Sequence, residues 1–193
     1  YVSNTITNNG TLTVKSGTIV NSSADAVGGP GYPYAIDSRQ SGATEVVLNI
    51  EGGTIKSSYS PLRVGANNSS VNNVANITGG DFYGRLDFQQ LTDGGKAELN
   101  IPGGTFNQFG IKQYALLVFG GNNYENTDAS GVKANITGGK FNAGFSFSTG
   151  NPIGSNFNKK FISGGEFSFD PSEYLADGYF ATEEDSKYVV YKA

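Results

Sequence analysis

Six times along this chain the same pattern returns: an apolar residue, any residue, a small residue, a glycine, any residue and a second apolar residue. The copies are VKSGTI ending at Ile19, IEGGTI at Ile55, ITGGDF at Phe82, IPGGTF at Phe106, ITGGKF at Phe141 and ISGGEF at Phe167. Two of them extend to the identical hexapeptide ANITGG, starting at Ala75 and Ala134. The last glycine of each copy falls at 17, 53, 80, 104, 139 and 165, in steps of 36, 27, 24, 35 and 26 residues. The short steps set a basic coil, and the two long ones carry insertions. A unit of this length cannot bury an apolar face alone and must stack on its neighbours, which predicts a parallel β-solenoid of about six coils.

The residues around the motif are written for strands. Alternation precedes the glycines, as in Leu48-Asn49-Ile50 and Leu99-Asn100-Ile101, the mark of a strand with one buried face. A second alternating segment follows: Tyr34-Ala-Ile36, Leu62-Arg-Val64, Leu86-Asp-Phe88, Leu116-Leu-Val118 and Phe145-Ser-Phe147. Two or three strands per coil result, with Ile6 in the place that Ile36 and Val64 take later. The glycine supplies a positive φ where the strand must turn. The apolar residue after it then points inward, so Ile19, Ile55, Phe82, Phe106, Phe141 and Phe167 form one internal column. One position before the inward isoleucine, Asn49, Asn76, Asn100 and Asn135 form an outward amide ladder. Thr13 begins that ladder and Phe161 ends it. The NIT sequons at Asn76 and Asn135 are explained by it rather than by glycosylation.

Composition narrows the function. Glycine numbers 28 and charged residues make up only 16%, which favours strands and turns over solvated helices. The net charge of -4 carries no basic footprint, so no nucleic-acid partner is expected. There is no cysteine and no histidine. Thiolate metal sites, a cysteine nucleophile and the usual neutral-pH base are therefore absent, and no cofactor or metal is expected. The longest apolar run, Tyr114 to Phe119, is too short to span a bilayer, so no membrane insertion is expected. The lack of methionine fits a processed chain or an excised piece.

Residues 1–168 read as repeats and 169–193 as a cap belonging to the same domain. In FDPSEYLADGY, Asp170 suits an N-cap, Pro171 a first helical position, Glu173 a capping box and Gly178 a helix stop, which predicts a short helix. YFATEEDSKYVVYK then reads as a hairpin turning near Glu184 to Ser186 and covering the last edge. Nothing equivalent covers the first coil, whose edge is expected to continue into further chain or a partner subunit.

NNGTLTVKSGTI, the recurring ITGGxF and the closing GGEFSFDPSEYLADGY resemble the repeat units and C-terminal cap of large extracellular proteins of gut-dwelling Gram-positive bacteria, and of related virion proteins of phages infecting them. The resemblance implies a right-handed parallel β-helix on a bacterial cell surface or virion surface, serving as an adhesin-like stalk or a display surface. A non-catalytic module holding cell-surface or host glycans, or a cell-surface receptor, is the expectation. A head-decoration or tail-fibre module is the alternative.

Solenoids of this kind also include polysaccharide-active hydrolases and lyases. Hydrolysis needs two carboxyls on one face, and Asp81 with Asp87 is the best pair. Arg63, one coil below Asp87, is more simply its surface ion-pair partner. Glu125 and Asp128 in GGNNYENTDASG are too few for a calcium site. The favoured candidate site is a row of aromatic residues between the glycine motif and the next strand: Tyr32, Tyr59, Tyr83 and Phe109 in successive coils. Exposed rings in a row can stack on sugars, with Asn107 and Gln108 bonding their hydroxyls.

Overall fold

The computed structural model describes residues 4–22, 33–39, 44–109, 116–121, 128–148 and 152–193. The first coil contributes β1 (Ile6–Thr7), β2 (Thr11–Val14) and β3 (Thr18–Asn21); the second β4 (Tyr34–Ser38), β5 (Glu45–Ile50) and β6 (Thr54–Ser57). The third has β7 (Ser60–Ala66), β8 (Asn72–Ile77) and β9 (Asp81–Tyr83), and the fourth β10 (Leu86–Gln90), β11 (Lys96–Ile101) and β12 (Thr105–Asn107). Then come β13 (Leu117–Gly121) and β14 (Val132–Phe141), followed by β15 (Phe145–Phe147) and β16 (Ile162–Phe167). The chain is a right-handed parallel β-helix of about five turns.

Equivalent strands stack coil on coil. The first sheet runs β1-β4-β7-β10-β13-β15; the rows β2-β5-β8-β11 and β3-β6-β9-β12 meet through β14, which is long enough to serve both. Each glycine motif makes the corner between these two rows for two separate reasons. At Gly104 the backbone takes φ +93°, which favours glycine, while at Gly103 a Cβ would stand 2.2 Å from the carbonyl oxygen of Thr78 one coil below.

With the corner fixed, the expected column forms: Ile19, Ile55, Phe82, Phe106, Phe141 and Phe167 are in register from coil to coil. Its rings stack parallel. Centroids lie 4.9 Å apart for Phe82–Phe106, 4.7 Å for Phe106–Phe141 and 4.9 Å for Phe141–Phe167, with interplanar angles of 7° or less. These distances match the spacing of hydrogen-bonded strands, about 4.8 Å, so backbone pairing and ring stacking reinforce each other. The amide ladder forms too. Asn76 donates to Asn49 at 2.9 Å, Asn100 to Asn76 at 3.0 Å and Asn135 to Asn100 at 2.8 Å, with Thr13 below at 3.5 Å.

The structure corrects four local expectations. In the fifth coil Leu117 and Phe119, not Leu116 and Val118, continue the inward positions of Leu86 and Phe88, a slip of one residue that exchanges the faces. Ile6 stands under Ile36, and Ile36 under Leu62 rather than Val64. Phe161 does not face outward at the ladder's end. It is 5% exposed and packs among Phe119, Phe145, Phe157 and Tyr174.

The fourth concerns the helix, which is a single 3₁₀ turn, Ser172–Tyr174, with Pro171 at its N-cap making no side-chain cap bond. Asp170, one residue before Pro171, does accept from the Ser172 amide at 2.9 Å, the bond expected of a capping aspartate, but Leu175 is already extended at ψ 134°, which ends the turn. The hairpin is present as β17 (Tyr179–Glu184) and β18 (Lys187–Lys192), turning through Asp185 and Ser186 with φ 49° and 64°. β18 pairs antiparallel with β16 and covers that edge.

Candidate binding groove on the first sheet

Alternation on the first sheet sends Ile36, Leu62, Leu86 and Leu117 inward, and therefore sends the residues between them outward. Register stacks Asp37, Arg63, Asp87, Val118 and Ser146 in one outward column. Two positions from Asp87 along the same face are Arg85 and Gln89, and two from Asp37 is Arg39. Three neighbouring coils thus bring three arginines and two aspartates together.

Both aspartates are 1% exposed although they face outward, so their charges must be paired within the protein. Asp37 accepts from Arg63 Nε at 3.0 Å and from its Nη2, and from Asn4 Nδ2 at 3.0 Å. Asp87 accepts from Arg85 Nε at 2.8 Å and Nη2 at 3.2 Å, and from the Tyr34 hydroxyl at 3.4 Å. Arg85 Nη2 also donates to the Tyr59 hydroxyl at 2.5 Å. The arginines lie over rings: Arg63 is 4.0 Å from the Tyr34 centroid and Arg85 4.5 Å from that of Tyr59. The two tyrosines meet edge-on at 5.5 Å.

Burial pushes the Asp87 carboxyl up, against the opposing pull of Arg85. It also drives the Tyr34 phenol far above its ordinary range, with the Asp87 charge adding to the effect. The Arg39 guanidinium is lowered to about 10, first by burial and then by repulsion from Arg63.

These side chains line a groove of about 460 Å³ together with Gln89, Val118, Gly120, Gly121 and Ser148. A larger trough of about 700 Å³ follows the glycine corners. It exists because those positions have no side chains, and its charges are exposed: Lys140 pairs with Glu166 at 3.6 Å, and Asp81 faces solvent. The groove is the better candidate because its charged groups are buried, oriented and held by specific partners.

The residues singled out from sequence fall in three places. Tyr59 is 9% exposed and belongs to the groove wall, not to an exposed edge. Tyr83 and Phe109 share Lys56, whose Nζ is 5.9 Å from the first ring centroid and 3.9 Å from the second. Asn107 sits in register with Tyr83 and accepts from Asn142 at 2.7 Å, and Gln108 is exposed beside it. Tyr32 and Glu125 lie outside the described residues.

Asp81 is exposed on β9 while Asp87 is buried on β10 of the first sheet, so the two carboxyls do not share a face. Arg63 is aligned with Asp87 but bonds Asp37, and Asp87 is taken by Arg85; the expected pair is exchanged for two others. Asp128 is bonded by Asn156 and Ser130, and among the described residues no group of three or more acidic side chains gathers to hold a metal. No helix among them is long and apolar enough to cross a membrane.

Sequence reasoning missed Asp37, Arg39, Arg85, Tyr34 and Gln89. The signal was available: Asp37, Arg63 and Asp87 each interrupt the same apolar alternation, and extending the Arg63–Asp87 column one coil down reaches Asp37.

Comparison with family models, curated proteins and solved structures finds no match.

Proposed function

We propose that this chain is a non-catalytic adhesive or display module of an extracellular surface, bacterial or virion, that holds a glycan of a cell surface or host in the first-sheet groove. The observation that carries the reading is the groove itself. Guanidinium groups and a carboxamide, backed by two buried tyrosines, line one concave site, a set that offers directed hydrogen bonds to the hydroxyls of a polar ring. Stacked strands form its floor, so the site is preorganised and little ordering opposes binding. The Lys56, Tyr83 and Phe109 cluster is a second surface, one with sugar-stacking chemistry.

The test is a glycan-array screen of the chain beside two variants. Val118→Trp fills the groove from a partly exposed, outward position and leaves the core untouched. Tyr83→Ala/Phe109→Ala removes the edge cluster. The reading expects a restricted set of glycans bound by the parent and by the double variant but not by Val118→Trp. Binding lost only in the double variant would move the site to the edge, absence of any binding would remove the adhesive role, and cleavage of a bound polysaccharide would contradict the non-catalytic one.

A further inference from the structure

The charges of the groove do not balance. Asp37 is taken by Arg63 and Asp87 by Arg85, which leaves the third cation, Arg39, attracted by both carboxylates from a distance but with only the neutral Gln89 hydrogen-bonded to it. Its Nη1 donates to Gln89 Oε1 at 2.8 Å, and its Nε is buried with no hydrogen-bond partner. A buried cationic donor without an acceptor is costly, and here a second guanidinium, Arg63, is close enough to repel it. What relieves both costs is an oxyanion. The planar guanidinium edge offers parallel N–H groups that match a carboxylate in two-point contact.

The surroundings restrict what carries that oxyanion. The groove volume of about 460 Å³ lies in the range of small-molecule sites, roughly 300–1,000 Å³, so it takes more than a bare ion. Tyr34 and Tyr59 back the guanidinium groups of Arg63 and Arg85 on one side, and Gly120 leaves room beside Gln89. Resting on the glycan-holding reading above, we propose that the ligand is an acidic sugar, a uronate whose carboxylate docks on Arg39 while its hydroxyls face the guanidinium groups held over the two tyrosines.

The experiment titrates the chain with digalacturonate, its neutral counterpart galactobiose, a sulfated disaccharide and plain acetate. Calorimetry reads affinity, and NMR reads the Arg39 Nε–H resonance, assigned with Arg39→Lys. The uronate is expected to bind about tenfold or more tightly than the neutral sugar and to shift that resonance. Arg39→Met should lose about the same factor for the uronate alone; if that variant fails to fold, the resonance in the unaltered chain decides.

Equal binding of neutral and acidic sugars with a static resonance would overturn the anionic site and leave the glycan reading standing. A shift with the sulfated sugar but not the uronate would overturn the carboxylate class. A shift with acetate while no saccharide binds would overturn the sugar, and with it the glycan reading, and retain an anion site. Silence from every probe would overturn the proposal and the reading together.

Discussion

Phe106 lies between two rings at van der Waals stacking distance and is 1% exposed. Its truncation leaves a cavity that backbone pairing on both sides prevents from closing. Phe106→Ala is therefore expected to cost about 3–5 kcal/mol in chemical denaturation, and a loss below about 1 kcal/mol would contradict its place in the column.

Asn73 makes the opposite case. It is 2% exposed, aligned between Val46 and Ala97, and neither polar atom of its side chain has a partner. Asn73→Val should raise stability by about 1–3 kcal/mol, the desolvation cost of an unsatisfied polar group, and a loss on substitution would show that the amide is satisfied.

Asp128 contributes to the acid sensitivity, as does Asp170, whose carboxyl the Ser172 hydrogen bonds also lower. Hydrogen bonds from Asn156 and Ser130 lower the Asp128 carboxyl to about 2. A depressed aspartate pKa stabilises the fold at pH values above the ordinary carboxylate value, and that contribution is lost as pH falls from about 4 to about 2. An NMR titration should place the midpoint near the low end of that window and return it toward the ordinary value in Asn156→Ala. Identical midpoints in the two proteins would contradict the assignment.

At the level of elements, the internal column and the amide ladder were legible because they depend on spacing from a glycine that only one backbone conformation explains. The slips came where that anchor is missing. Leu116-Leu-Val118 offers three apolar residues in a row, and with no glycine motif beside it either phase satisfies alternation. The helix stops for a different reason: Asp170 bonds the Ser172 amide as a cap should, but Leu175 is extended and bridges to Ile162 of the last coil. The candidate site was less legible than the fold, because Tyr59 was placed by its position in a loop while its ring is turned onto the sheet by Arg85 and Tyr34.

The hairpin belongs to this scale. Its β18 occupies the edge of β16 and its acidic outer strand discourages further pairing. Deleting residues 178–193 should expose that edge and Phe167, giving concentration-dependent self-association in light scattering. A monomer at all concentrations would show that β16 is protected by other means.

For the whole molecule, the solenoid turns a linear repeat into flat, rigid faces on which outward side chains of successive coils become neighbours. Residues far apart in sequence, Asp37, Arg63 and Asp87, meet because each occupies the same place in its coil. Register holds the Asp37–Arg63 pair across coils, while Arg85 and Asp87 pair within one coil, two residues apart, and the third arginine is left without a carboxylate hydrogen-bonded to it. That geometry is why the groove, rather than the glycine trough or the Lys56 edge, is the face we propose as functional. The most direct measurement is a crystal structure of the chain soaked in digalacturonate. The account expects the sugar in the first-sheet groove with its carboxylate on Arg39; sugar density along the glycine trough, or over Tyr83 and Phe109, with the groove holding only solvent, would contradict it.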